Sequence, residues 1–190
     1  MIRESIVTTV DGDGRVHITP LGLIEDGEEM IIAPFRPSRT LDNLRVVPFA
    51  VANHTDDVRV FAGCLTGRRD WATVPCEESP APRLADCLSH VTLRVVRVTE
   101  DELRPRFHCE VVRHVAHAPY HGFNRAQAAV IEAAILASRL HILPREKIES
   151  EIAQLAIAVE KTAGPREQTG WRWLREMIDA HYAAKDAKGA

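Results

Sequence analysis

The chain has no glycine-rich phosphate loop and no dinucleotide fingerprint behind a strand, so nucleotide-binding folds that rely on glycine cradles are disfavoured. None of Ser5, Ser38, Ser79, Ser89, Ser138 or Ser150 sits in a nucleophile elbow, which sets aside a hydrolase of that type. The four cysteines, at 64, 76, 87 and 109, lack the close pairs of a zinc motif, and we expect buried, reduced thiols. No apolar stretch is long enough to cross a bilayer, and Met1-Ile2-Arg3-Glu4 does not open a signal peptide, so we expect a cytoplasmic protein without a membrane partner. The formal net charge of −3 provides no general attraction to nucleic acid. Any anion site must be local.

One stretch meets that description. Pro34 to Leu44 follows the apolar run Met30 to Ala33, and it holds Arg36, Ser38, Arg39, Thr40 and Asn43 beside an expected strand-to-helix turn. Guanidiniums supply a planar fork of donors suited to phosphate, and a helix start adds free backbone N–H groups. This combination points to a phosphate pocket for a bound cofactor. The alternative is a solvated turn with Ser38 or Thr40 as a helix cap.

The first half reads as strands. Ser5 to Val10 and Val16 to Ile24 flank the turn Asp11-Gly12-Asp13-Gly14, and Pro20 marks an edge or a bulge. A short helix through Leu41 and Leu44 should precede a strand over Val46 to Ala52, and Asp56 or Asp57 should cap a helix over Val58 to Leu65. Pro75 to Pro82, rich in proline, reads as loop. Val91 to Val98 and Phe107 to Val115 form a hairpin. Five or six antiparallel strands with short helices between them suggest a closed or partly closed barrel. Beyond Gly122 the periodicity turns helical. Asn124 and Gln127 form a capping box, Pro144 and Pro165 open two further helices, and the tail after Ala183 is expected to fray.

The histidines at 108, 114, 117 and 121 invite a metal reading, but residues 114 and 117 would face opposite sides of a strand and no close cysteine pair accompanies them, so we expect no metal. His121 is best placed to touch a ligand. Asn53 ends a strand and could face the same cleft; a helix cap at Thr55 or Asp56 is the alternative use of that segment. In Thr19-Pro20-Leu21-Gly22 small side chains leave room for a flat ring against the backbone.

These pieces, in this order, resemble the FMN-binding split-barrel superfamily, and most of all its uncharacterised branch known as domain of unknown function 447. The resemblance rests on Thr19 to Gly22, on Pro34 to Leu44 with Ser-x-Thr-x-x-Asn-Leu, on Asn53 to Asp57 with Phe61, and most specifically on Gly122-Phe123-Asn124-Arg125-Ala126 with the helix after it. It implies an α+β fold with a mainly β core: a six-stranded antiparallel split β-barrel over residues 1–121 and a C-terminal helical extension over 122–190. It implies FMN near the interface of a homodimer, with Arg39, Thr40 and Asn43 around the phosphate, Thr19, Pro20, Leu21 and Gly22 against the ring, and Asn53 at the ribityl chain or ring edge. Arg36 departs from the small residues expected before Ser38. Asn124 and Arg125 would shape the pocket, though Asn124 equally suits a structural cap. The implied function is an oxidoreductase of unknown small-molecule substrate, with a reduced nicotinamide as a candidate partner; the alternative is a non-catalytic flavin-binding, storage or sensor module. No acid or base is assigned, His17, His54 and His121 being the candidates.

Overall fold

The computed structural model describes residues 1–189, with side chains through 187, and its contacts divide the chain into two compact units. The first comprises residues 1–55 and 70–120; the second comprises 56–69 and 121–190. The segment 56–69, placed with the barrel by its position in the sequence, groups with the helices.

The first unit is a six-stranded antiparallel closed barrel. Strands β1 (Ile2–Val10), β2 (Val16–Asp26), β3 (Glu29–Ile32), β4 (Phe49–His54), β7 (Ser89–Thr99) and β8 (Arg106–Ala116) close in the order β1-β2-β3-β8-β7-β4. Alternation sends Val7, Leu23, Ile32, Ala50, Ala52, Leu93, Phe107 and Cys109 into one core cluster. Helix α1 (Arg39–Val46) adds Leu41 and Leu44 to that core and packs on β1 and β2. Burying these two leucines contributes about 1.5–3 kcal/mol each. The helix extends through Val46, a residue expected to begin the next strand; the amide of Val47 still donates to Asn43 O at 2.7 Å, and Pro48 delays strand entry to Phe49.

Strand β2 runs unbroken through Pro20. It pairs with β1 along Val16 to Ile24 but with β3 only over Ile24 to Asp26. Pro20 therefore lies where the ladder is one-sided, the position in which a missing N–H is tolerated.

Pro75 to Pro82 is not a loop. β5 (Thr73–Cys76) and β6 (Ser79–Leu84) form a separate two-stranded sheet, and β6 lies against β4 and β1. Ala81 packs with Val10 and Val51, and the Thr8 hydroxyl donates to Pro82 O. Proline is compatible with this marginal pairing because each strand has a non-ladder side.

The second unit contains α2 (Arg59–Leu65), α3 (Arg125–Ala137), α4 (Arg145–Thr162) and α5 (Pro165–Gly189). Val58, Ala62, Val130, Ala133, Leu136, Ile148, Ile152, Leu174 and Ile178 form its core. Small residues set the spacing: a Cβ on Gly170 of α5 would lie 3.3 Å from Val130 Cγ1 and 3.5 Å from Ala62 Cβ. The tail expected to fray is helical to Gly189. Arg145 of α4 pairs with Asp186 at 3.1 Å, which ties the last turns down. The α3 capping box is half formed, since Gln127 turns away to donate to Glu167 Oε1 at 3.3 Å. No described helix is long and apolar enough to cross a membrane.

Candidate functional site

The loop before α1 is fixed by the β7–β8 turn. Arg36 N donates to Leu103 O at 2.9 Å, and Arg104 donates to Ala33 O at 2.9 Å while stacking 4.4 Å from the Phe35 ring. Asp101 accepts the amides of Arg104 and Leu103, contacts that hold its carboxyl below the ordinary range. Another acid of the turn, Glu100, decides which cations remain available. Glu100 receives Arg36 at 2.6 Å and Arg45 at 2.8 Å, and Arg36 also donates to Asp101 O at 3.1 Å. Arg36 is thereby committed to a recess lined by Glu100, Asp101 and Glu102, whose charge would repel phosphate.

Arg39 is different. It is exposed on the first turn of α1 and has no ion-pair or hydrogen-bond partner among the described residues. Ser38 caps the helix: its Oγ accepts from Leu41 N at 3.3 Å and its carbonyl from Asp42 N at 3.2 Å. The amides of Arg39 and Thr40 are left as the helix's free donors, and the hydroxyl of Thr40, a buried residue, has no partner among the described residues. An exposed guanidinium, one hydroxyl and two amides at the positive end of a helix form a donor set suited to a dianionic phosphate, with the exposed Asp42 carboxylate of the same turn as the one opposing charge.

The other candidates are occupied otherwise. Asn43 is buried and donates to Thr9 Oγ1 at 2.9 Å, pinning α1 to β1. Asn53 is wholly buried: its Nδ2 donates to Ile6 O at 2.9 Å and Val51 O at 3.2 Å, and its Oδ1 accepts from Leu84 N at 2.7 Å. Its amide serves as a junction of β1, β4 and β6 and has no group left for a ligand. Thr19, Pro20, Leu21 and Gly22 are half-buried along β2. The space over Gly22 is filled, because a Cβ there would meet Ile2 Cγ2 at 2.8 Å and Glu4 Oε1 at 3.2 Å. That glycine is explained by its cross-strand neighbours.

Three candidates belong to the helical unit. His121 and Arg125 are exposed. Asn124 is the cap of α3, with Oδ1 accepting from Ala126 N at 2.8 Å and Nδ2 donating to Thr162 O at 3.0 Å. Sequence reasoning missed Glu100, which sorts Arg36 from Arg39; no local signal announces an acid that arrives from 60-odd residues away.

Comparison with known proteins bears on the family and the fold. Residues 3–118 match the N-terminal domain of the family described as protein of unknown function (DUF447), and residues 124–176 match that family's C-terminal part. No curated protein matches the sequence. Among solved structures, an FMN-bound protein of the same family from Methanosarcina mazei superposes with a TM-score of 0.80 at 20% identity, covering 93% of this chain and 94% of that one. A putative flavin reductase with a split-barrel domain from Shewanella frigidimarina gives 0.53 at 14% identity over 65% of this chain and 74% of its own. Flavoredoxin of Desulfovibrio vulgaris gives 0.52 at 14% identity over 61% and 70%. At these identities the likeness establishes a shared split-barrel fold.

Proposed function

The chain belongs to the DUF447 family, and from that premise we propose that it is an FMN-binding flavoprotein, with Arg39, Thr40 and the first amides of α1 holding the flavin phosphate. The single observation that carries this reading is Arg39: a cation left without an acid partner among the described residues, at a helix start whose neighbouring arginines, Arg36 and Arg45, both pair with Glu100. The FMN-bound relative with the same fold supports the choice of cofactor. Bound FMN supplies reversible hydride acceptance at its N5; the protein's part is to hold, orient and desolvate it. The favoured activity is oxidoreduction of a small molecule, with a reduced nicotinamide as hydride donor. A flavin carrier or sensor is the second reading, favoured because Ser38 and Asn43, the polar groups beside the helix start, are committed to a cap and to a tie onto β1. Stopped-flow mixing with reduced nicotinamide separates the two: bleaching of bound flavin supports the first.

Equilibrium titration of FMN against wild type and Arg39→Ala tests the cofactor assignment. Loss of one charge-assisted contact should cost about 1.5–3 kcal/mol, or roughly 10- to 150-fold in Kd. Equal affinity in the two proteins would remove Arg39 from the site. We also infer a homodimer. Val96 and Val98 of β7 are 50% and 40% exposed, apolar side chains that a second copy would cover.

A further inference from the structure

Three side chains with soft or borderline donor atoms meet at the far ends of β7 and β8, a place that the flavin reading does not use. The ligand atoms of Cys87, His90 and His117 all lie within 4.8 Å of one another. Cys87 sits on the loop between β6 and β7, His90 on β7, and His117 one residue beyond β8. His90 Nδ1 and His117 Nε2 are 2.8 Å apart, with their rings stacked at 5.0 Å and 8° from parallel. That contact requires a lone pair on at least one of the two facing nitrogens.

The backbone preorganises the group. Leu88 O accepts the amides of both His117, at 2.8 Å, and Ala118, at 3.1 Å, which clamps the end of β8 onto the segment that carries Cys87 and His90. Cys87 and His90 are buried while His117 is exposed, so the cluster has a closed floor and an open side. We propose that Cys87, His90 and His117 form a binding site for a borderline-soft divalent cation, zinc by ligand type, with the fourth coordination position left to water.

The chemistry of the donors selects the metal class. One sulfur and two imidazole nitrogens suit Zn²⁺ or Co²⁺, whereas Mg²⁺ and Ca²⁺ require oxygen ligands. In a tetrahedral site with metal–nitrogen bonds of about 2.0 Å and metal–sulfur bonds of about 2.3 Å, donor atoms stand roughly 3.3–3.5 Å apart. The three donors reach that arrangement by side-chain rotation, the imidazole pair opening slightly and Cys87 closing. The surrounding charges are mixed. Burial pushes the Cys87 thiol up, with Arg83 of β6 pulling the other way, so a bound cation has to displace the thiol proton; Glu78 supplies a negative charge near His90, and Arg113 of β8 is itself paired with Glu78 and Glu77.

The expectation of no metal considered the histidines at 108, 114, 117 and 121 by spacing along one strand. It did not weigh the pairing of His90 with His117, 27 residues apart and brought together by strand register.

Purified protein stripped of metal would be titrated with Co²⁺, and its Zn²⁺ affinity measured by competition with a chromophoric chelator. The expected result is one ion per chain, with a sulfur-to-cobalt charge-transfer band in the near ultraviolet. His117→Ala, a change at an exposed position that should leave the fold intact, is expected to weaken Zn²⁺ binding by roughly tenfold or more. Cys87→Ser should abolish the charge-transfer band while circular dichroism stays that of the wild type. If His117→Ala binds Zn²⁺ as tightly as wild type, or if wild type shows no charge-transfer band at saturating Co²⁺, the site does not exist.

Discussion

Asn43 and Asn53 are polar, nearly inaccessible to solvent, and each ties separate pieces of chain together. Asn53 is the more demanding, because leaving the Leu84 amide without its acceptor costs about 1–3 kcal/mol. Both asparagines were conspicuous in the sequence as ligand candidates; what could not be read there was that Leu84 and Thr9, from distant elements, would claim them. Arg39 shows the reverse. Its type and place beside Ser38 were legible, but its freedom depends on Glu100 engaging its neighbours. His54 provides a test at this scale. Its Nδ1 lies 2.9 Å from Ser89 Oγ, and burial first, then the charges of His114 and Arg3, push its pKa below the ordinary 6.5, with Glu25 opposing. The unfolded chain then binds a proton that the folded chain refuses, so stability is full above 6.5 and is lost as pH falls below it. Urea midpoints measured from pH 7 down to about 5 should fall in wild type and fall less steeply in His54→Gln.

Elements with strong periodicity were readable in advance, and those that rest on tertiary support were not. The β7–β8 hairpin and the amphipathic helices follow from residue order alone. The β5–β6 ribbon does not, because prolines in both strands mask a pairing that holds only when β6 lies on β4 and β1. Helix α5 survives past Ala183 for a similar reason, since Asp186 finds Arg145 across the unit. The contact of α5 with α2 and α3 is close enough to be broken by volume. Gly170→Leu should lower stability by about 1–3 kcal/mol, read from chemical denaturation, because Val130, Ala62 and the Val58 carbonyl leave no room for a side chain.

For the whole molecule, a barrel of five or six strands followed by a helical region was legible from the turn from two-residue to 3.6-residue periodicity; the count of six came with the family resemblance, and the strand order was not legible. Sequence alone also missed that residues 56–69 group with the helices, since α2 shares its apolar face with α3 and α5. Self-association belongs to this scale. Light scattering after size exclusion should report twice the 21.2 kDa chain mass, and Val96→Glu with Val98→Glu should return the single-chain mass without loss of secondary structure. A chain-length mass in wild type would remove the dimer. The one-sided stretch of β2 carries a last consequence. A wall opened along one flank presents the groups that stray chains use to stack into fibres, and Pro20, at the middle of that flank, withholds a donor such stacking requires. The imide ring lets the barrel keep its gap while denying intruders a template.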